Sequence, residues 1–365
     1  MGRRIVLAGG GTAGHIEPAL AVADALQRID SNIALEFLGT SNGLEKLLVP
    51  QRGYLLRTIP KAVLPRKISL TALTFPFKLL SGIFKARQVI KGADLLIGFG
   101  GYVSASAYLG ARLAGVKILI HEANARPGWA NRLGRRIAEV VAVNFESVRS
   151  QWPGSILTGM PIRRAITEVT RLSDTESKKF RELHATTWGF DPKRPIIAIF
   201  GGSQGSIRIN DAVKKYLENP ETEIQLLHAL GSNNSLPAAT ANYLPLQYFH
   251  DMASIYGSAD LLITRSGAVT CSELLTVAKF AILIPLAHGN GEQIENARQL
   301  VDQNRAVMVK DEEFDGKWLT QNLKPIVEQA RSRKLVSSEL HLKAAERIAE
   351  LAMEVIRPNS QGGAS

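Results

Sequence analysis

The stretch IVLAGGGTAGH, residues 5–15, sets an apolar run, Ile5-Val6-Leu7-Ala8, directly against a glycine-rich turn that ends in a histidine. A short apolar run closed by glycines reads as a buried strand. The glycines after it let the backbone turn tightly and come close to a phosphate. The spacing Gly9-x-Gly11-x-x-Gly14 is that of a dinucleotide-binding loop. Such a loop also expects an acidic residue about 20 positions on, at the tip of the second strand. Glu36 falls near that place, but the apolar run continues through Phe37 and Leu38 to Gly39, so its carboxylate sits mid-strand. His15 is foreign to the dinucleotide pattern.

Further runs follow at Ile33–Leu38, Leu95–Phe99, Val116–Ile120 and Val140–Val143, each with room for a helix before the next. The first helix is expected to open near Pro18, a proline tolerated in a first turn. The alternation pauses at Thr158-Gly159-Met160-Pro161, and Arg171–Lys179 and Asp191–Pro195 are polar or proline-broken. Then the opening repeats. Ile196–Phe200 runs into Gly201-Gly202-Ser203-Gln204-Gly205, and strands are expected near Gln225–Ala229, Leu261–Thr264, Ala281–Pro285 and Ala306–Val309. Alternating strands and helices imply parallel, doubly wound sheets. The sequence therefore predicts an α/β protein of two Rossmann-like domains, residues 1–161 and 162–337, facing each other across a cleft. A helical tail over about 338–357 is expected to pack back on the first domain.

At 365 residues, with 45% apolar and 21% charged side chains, the chain has the composition of a two-domain globular protein. Its one cysteine, Cys271, excludes an internal disulfide framework and fits a reducing compartment. Met1-Gly2-Arg3-Arg4 leads into a strand without a secretory apolar region, so a cytoplasmic protein is expected. The net charge of +11 points to a polyanionic partner. Between Glu45 and Asp94 stand ten basic residues and no acidic one, interleaved with Leu64, Leu70, Phe75, Phe77, Leu80, Ile83 and Phe84. Bulky apolar side chains flanked by cations, here Phe75 and Phe77 with Lys78, Lys85 and Arg87, suit an anionic membrane surface. The plainer reading is a helix with an apolar core side and solvated lysines. Nucleic acid fits poorly, since no helix-turn-helix, RNA-binding signature or zinc spacing occurs.

Chemistry is concentrated where strands end. The loop at Gly201–Gly205 keeps the anion-binding logic, with Ser203 a candidate phosphate donor. Thr264-Arg265-Ser266-Gly267 turns into a helix whose residues Ala268, Val269 and Thr270 offer backbone amides, and Glu273 is placed to accept ribose hydroxyls. A solvated glutamate is the commoner fate of such a residue. After Ala281–Pro285 comes His288-Gly289-Asn290-Gly291-Glu292-Gln293, in which Gln293 and Asn296 share a helix face suited to sugar hydroxyls. Open α/β sheets bind ligands at these strand ends.

Taken with Gly100-Gly101-Tyr102-Val103-Ser104, His121-Glu122-Ala123-Asn124 and Gly159-Met160-Pro161-Ile162-Arg163, the blocks from residue 9 to about 296 resemble the MurG family. These bacterial glycosyltransferases add N-acetylglucosamine to the lipid-linked peptidoglycan precursor, and so serve cell-wall synthesis, cell shape and division. The resemblance implies the GT-B fold, inversion at the anomeric carbon and peripheral attachment to the cytoplasmic face of the bacterial membrane. Carried over by residue, it sets Thr12, Ala13 and Gly14 beside the donor sugar or acceptor phosphates, and Asn124 near the sugar. Arg163, Ser203, the backbone at Phe249 and the turn Ala268-Val269-Thr270-Cys271-Ser272-Glu273 would hold UDP, with Glu273 on the ribose and Gln293 on the N-acetylglucosamine. Ala13, Ala123, Phe249 and Glu292 depart from the family pattern, and a carboxylate at Glu292 is unfavourable beside a diphosphate unless it points away.

The implied reaction is attack of the muramyl 4-hydroxyl of the lipid-linked pentapeptide acceptor on C1 of UDP-N-acetylglucosamine. No Asp-x-Asp occurs, so neither a metal nor a cofactor beyond the donor is required. His15 is the candidate base, with phosphate contact or helix capping as its rival roles. Implied partners are the donor, the acceptor, an anionic inner-membrane surface and a cell-wall synthesis complex. Other readings stay open. A related enzyme could use another acceptor lipid such as diacylglycerol, its choice set by loops such as 64–77. A NAD-dependent oxidoreductase and a catalytically silent nucleotide-sugar-binding scaffold are further alternatives.

Overall fold

The structure, a computed structural model, describes residues 2–61, 70–232, 234–286 and 290–357, with backbone alone for 70–74. Leu64, Arg66, Lys67, His288 and Gly289 lie outside the described residues. The chain divides into two compact units, one of Met1–Ile162 with Leu340–Ser365, the other of Arg163–Glu339.

The first unit carries strands β1 (Arg4–Ala8), β2 (Ala34–Gly39), β3 (Leu55–Thr58), β4 (Leu95–Gly98), β5 (Lys117–Glu122), β6 (Val140–Val143) and β7 (Ile156–Leu157). Its helices are α1 (Ala13–Ile29), α2 (Glu45–Gln51), α3 (Leu70–Ile90), α4 (Tyr102–Ala114), α5 (Trp129–Gly134) and α6 (Glu146–Gln151). The second unit opens with α7 (Arg164–Val169) and α8 (Asp174–Thr187). It continues through β8 (Ile196–Phe200), α9 (Ile207–Tyr216), β9 (Gln225–Ala229), β10 (Tyr243–Leu246), α10 (Met252–Ser258) and β11 (Leu261–Thr264). Then come α11 (Ala268–Thr276), β12 (Phe280–Leu283), α12 (Glu292–Asp302), β13 (Ala306–Met308) and α13 (Gly316–Ser332). Helices α14 (Glu339–Leu342) and α15 (Ala344–Ile356) return the chain to the first unit.

Every strand pairing is parallel, in the orders β3-β2-β1-β4-β5-β6-β7 and β10-β9-β8-β11-β12-β13. Strand order reverses direction between β1 and β4 in one sheet and between β8 and β11 in the other. A doubly wound sheet opens a crevice at such a point, beyond the C-terminal strand ends. Four of the glycine-containing turns singled out from the sequence follow these four strands.

Burial on both faces explains why the central strands read as unbroken apolar runs. On one face of the first sheet, Ile5, Leu7, Ile97 and Leu119 pack against Leu20, Val22 and Leu26 of α1 and Ile348, Ala349 and Ala352 of α15. On the other, Val6, Ala8 and Ile118 meet Ala86 and Ile90 of α3 and Ala107, Tyr108 and Ala111 of α4. The second unit repeats the plan, with Ile197, Ile199 and Ile263 against Val213 of α9 and Leu323 of α13.

The structure corrects one expectation. Helix α1 begins at Ala13, five residues before Pro18, so the proline lies inside the helix rather than in its first turn. An internal proline costs about 3 kcal/mol. Fully buried Ile16, Ala19, Leu20, Val22 and Leu26 on the same helix offset it.

Three buried histidines make the fold acid-sensitive. His121 lies 2.9 Å from the Gly159 carbonyl, and the Met160 amide donates to His341 at 3.0 Å, so both rings clasp the segment that leaves the first unit. Burial pushes His121, His341 and, in the second unit, His228 down from 6.5 to about 4. Between those values the unfolded chain takes up protons that the folded chain refuses. Stability is therefore full above pH 6.5 and falls as pH drops toward 4, by up to about 1.4 kcal/mol per pH unit per histidine. Urea unfolding at about pH 7 and about pH 5 should show the midpoint falling with acidification. A midpoint that holds or rises would contradict this account.

Candidate active site

In the first unit the turns after β1 and β4 lie side by side. Gly11, Gly100 and Gly101 adopt φ of 94°, 86° and 84°, which only glycine takes readily. Helix α1 starts behind Thr12 and α4 behind Gly101, neither with a side-chain cap, so both N-termini keep amides available to an anion. Ala13 is the first residue of α1 and has no positive φ, so alanine is at no disadvantage there.

His15 lies on the first turn of α1, its Nδ1 3.1 Å from the Thr12 hydroxyl. A methyl group placed on Gly100 would stand 3.5 Å from its Nε2, and one on Gly101 would stand 3.4 Å from Nδ1. The ring thus packs against the second turn, where positive φ at both residues and the Gly10 carbonyl, 2.6 Å from a methyl group on Gly101, call for glycine. Burial holds the imidazole below its usual 6.5, against the opposing Glu45 charge and Gly10 carbonyl. It is accordingly neutral at pH 7.

Beside this pair, Glu122 at the end of β5 is 2% exposed and accepts hydrogen bonds from the amides of Asn124 and Gly128 and from Asn131 Nδ2. Tyr108 donates to Asn131 Oδ1 at 2.6 Å. Asn124 is thereby fixed at the rim by its own backbone. The sequence marked Glu122 and Asn124 but not Tyr108 or Asn131, whose roles emerge only from the tertiary contact. Glu36 sits mid-strand, as read, and bonds Arg4 and Arg57. Although burial pushes its carboxyl up, those guanidiniums hold it below its usual range. It is committed away from any nucleotide.

In the second unit the turn after β8 uses positive φ at Gly202 (102°) and Gly205 (78°). Any side chain on Gly205 would overlap the Leu230 carbonyl. Ser203 is part-buried on this turn, while Ser206 caps α9 by accepting from the Ile209 amide. Arg265, at the end of β11, ties the turns together by donating to Ser206 Oγ at 2.7 Å and to the Ile284 carbonyl at 3.0 Å, with Asp311 as counter-ion. Its bracing role was not legible in the sequence. Helix α11 begins behind Gly267 with no side-chain cap, leaving the amides of Ala268, Val269 and Thr270 at an open N-terminus.

Glu273 is 3% exposed, which excludes the solvated alternative. Arg163 Nη2 donates to its Oε1 at 3.0 Å, and the Tyr256 hydroxyl to its Oε2 at 2.8 Å. Burial and the adjacent carboxylate push the Tyr256 hydroxyl well up, so it remains a donor. Arg163 therefore faces Glu273 and orients it. Cys271 and Ser272 are buried core residues of α11. Burial pushes the Cys271 thiol far up, so the turn contributes backbone there and not a nucleophile.

The face expected to carry Gln293 and Asn296 divides. Gln293 Oε1 accepts the Leu286 amide at 2.9 Å and so fixes the end of the β12 loop. Asn296 is 1% exposed and reaches the Ser266 carbonyl, so it braces the turn before α11. Glu292 is the first residue of α12, where a carboxylate is favoured by the helix dipole, and this accounts for its tolerance. The Phe249 ring is 4% exposed and packs edge-on against Phe200, leaving the backbone as its contribution.

Helix α3 combines the two readings of its sequence. Ile83, Ala86 and Ile90 enter the core, while Phe77, Leu80 and Phe84 are 74%, 52% and 60% exposed. Lys78, Lys85 and Arg87 are exposed beside them, and Phe75 is part-buried. No helix among the described residues is long and apolar enough to cross a membrane.

Residues 5–143 match the glycosyltransferase family 28 N-terminal domain, and residues 196–352 match the family 28 C-terminal domain. A UDP-N-acetylglucosamine--N-acetylmuramyl-(pentapeptide) pyrophosphoryl-undecaprenol N-acetylglucosamine transferase of Frankia casuarinae is 43% identical over 336 residues, 89% of this chain and 87% of the relative. A protein of the same name from Corynebacterium diphtheriae is 44% identical, covering 86% and 85% of the two chains. Among solved structures, Acinetobacter baumannii MurG superposes with a TM-score of 0.66 at 26% identity, over 96% of this chain and 99% of that one. A UDP-bound MnaA of S. aureus shares the fold alone, with a TM-score of 0.67 at 13% identity and coverage of 99% and 100%.

Proposed function

The chain belongs to glycosyltransferase family 28, and from that premise we propose that it transfers N-acetylglucosamine from UDP-N-acetylglucosamine to undecaprenyl-pyrophosphoryl-N-acetylmuramyl-pentapeptide, forming the disaccharide lipid precursor of peptidoglycan. Kinship over nearly nine-tenths of the chain with transferases of that single name carries the proposal. The chemistry of the two switch points supports it.

On this reading the muramyl 4-hydroxyl attacks C1 of the donor sugar from the face opposite the nucleotide, with inversion, and UDP leaves. Negative charge grows on the leaving diphosphate. Donors fixed before reaction stabilise that charge more in the transition state than in the ground state. The uncapped N-terminus of α11 and the Gly201–Ser206 turn with Ser203 serve that need, so the chemistry calls for no cofactor beyond the donor. Glu273, oriented by Tyr256 and Arg163, takes the ribose through its remaining lone pairs, and the Phe249 backbone lies beside the base. In the first unit, the α1 and α4 N-termini receive the acceptor diphosphate at Thr12, Ala13 and Gly14. With Nδ1–H donated to the Thr12 hydroxyl, His15 keeps its lone pair on Nε2 and takes the hydroxyl proton.

Titration with UDP, UDP-N-acetylglucosamine and NAD tests the nucleotide class. The first two should bind. Tight NAD binding without UDP binding would overturn the proposal.

The exposed Phe77, Leu80 and Phe84 with their basic neighbours serve peripheral attachment to an anionic membrane surface, where the lipid acceptor resides. That location gives access to a cell-wall synthesis complex. Each cation near such a surface contributes about 1 kcal/mol. Replacing Lys78, Lys85 and Arg87 by glutamate should lower partition onto anionic vesicles at least about 100-fold and leave UDP affinity intact. Unchanged partition would remove α3 from the membrane-binding surface.

A further inference from the structure

Glu45 has no place in the reaction as described, yet its surroundings are built around it. It opens α2 and is 0% exposed. Its Oε2 accepts the Gly11 amide at 3.0 Å, and its Oε1 accepts the Thr40 amide at 2.8 Å and the Thr40 hydroxyl at 2.7 Å. Three glycines, one in the turn after β1, one at the end of β2 and one just before α2, clear its volume. A methyl group on Gly10 would stand 2.8 Å from Oε1, one on Gly39 would stand 2.6 Å from Cγ, and one on Gly43 would overlap the carboxylate outright.

Burying a carboxylate costs several kcal/mol, and a well-packed apolar side chain of similar volume is often as stable or more so. Stability alone is therefore a poor reason for this residue. Its partners supply a better one, because Gly11 is the φ 94° residue of the first turn and immediately precedes Thr12, which pairs with His15.

We infer that Glu45 is a positioning residue for the transfer, its buried carboxylate tying the first glycine turn to the end of β2 and thereby fixing where Thr12 and His15 stand. The functional half of this inference rests on the reading of His15 as base; the structural half does not. Electrostatics act in the same direction. Burial lowers the His15 imidazole, and the Glu45 carboxylate is the charge that opposes the lowering. Other charged groups near this turn are Glu17, two residues beyond His15 on α1, and Lys61, whose ammonium lies 5.2 Å from the centre of the Tyr102 ring that flanks Gly11.

Glu45→Gln keeps the volume and one acceptor but sets an amide donor against either Gly11 or Thr40. In 15N-labelled full-length protein, the His15 ring titration, assigned with His15→Asn, and Gly11 amide exchange are read alongside turnover and UDP affinity. The Gly11 amide should exchange at least about tenfold faster. The His15 midpoint should move down, and turnover should fall about tenfold or more with UDP affinity unchanged. Thermal unfolding checks that the variant is folded. If Gly11 exchange and His15 titration match wild type in the folded variant, the inference is overturned. If both respond while His15→Asn turns over normally, the base assignment fails and the tie through Glu45 stands.

Discussion

His15→Asn is expected to lower turnover by about 10²- to 10⁴-fold, the usual contribution of a positioned general base, and to leave UDP affinity unchanged. The asparagine amide can take the place of Nδ1 beside the Thr12 hydroxyl, so the turn keeps that contact while the acceptor nitrogen is lost. The pH profile supplies the sign. The base must be neutral to accept a proton, and burial lowers its pKa from 6.5. Wild-type activity should therefore rise with pH through a midpoint below 6.5 and be level at neutrality. Losing the histidine should abolish that limb. A variant with wild-type turnover would return His15 to its rival roles of phosphate contact or helix capping.

Glu273→Ala should have the largest effect on donor binding. The substitution removes the ribose acceptor and also leaves the Arg163 guanidinium and the Tyr256 hydroxyl without the carboxylate they hold at 3.0 Å and 2.8 Å. Hydrogen bonds to a charged group contribute about 1.5–3 kcal/mol each, so UDP affinity should fall at least about 100-fold. Breaking a buried pair by removing one member costs about 3–5 kcal/mol, so the second unit should also unfold at lower denaturant. Tyr256→Phe separates the two effects. The ring still packs, the carboxylate loses one orienting bond, and UDP affinity should fall by about tenfold with a smaller loss of stability than in Glu273→Ala. Calorimetric titration and urea unfolding read both. Wild-type affinity in a folded Glu273→Ala protein would remove Glu273 from the donor site.

The central architecture was legible because burial on both faces writes itself as unbroken apolar runs, and β1, β4, β8 and β11 are such runs. Of the edge strands, β13 was read from Ala306–Val309, but β3, β7 and β10 were not. The residues of β3 are mostly exposed, β7 has two residues, and β10 carries Pro245, which an edge strand tolerates because its amide need not pair. The start of α1 was misplaced because Pro18 resembles a first-turn proline until the tertiary burial of the preceding turn is known.

The site divides in the same way. Glycine turns and the Glu273 helix start are local patterns and can be read from spacing. Their supports come from distant parts of the chain: Glu45 reaches Gly11 across 34 residues, Tyr256 reaches Glu273 across 17, and Arg265 reaches Ser206 across 59. No periodicity connects such pairs. The same holds for Asn296, which shares a helix face with Gln293 and reaches the Ser266 carbonyl 30 residues away. The opening turn illustrates both outcomes, since its glycine spacing suggested a dinucleotide while its contacts join Thr12 to His15 and Gly11 to the distant Glu45 carboxylate.

The most direct measurement combines purified protein, UDP-N-acetylglucosamine labelled in the sugar, and the undecaprenyl-linked muramyl-pentapeptide in detergent or vesicles. The account predicts that label appears in a lipid-extractable disaccharide product, in step with release of UDP. Binding of the labelled donor without any labelled lipid would contradict it, leaving a nucleotide-sugar-binding protein in place of a transferase.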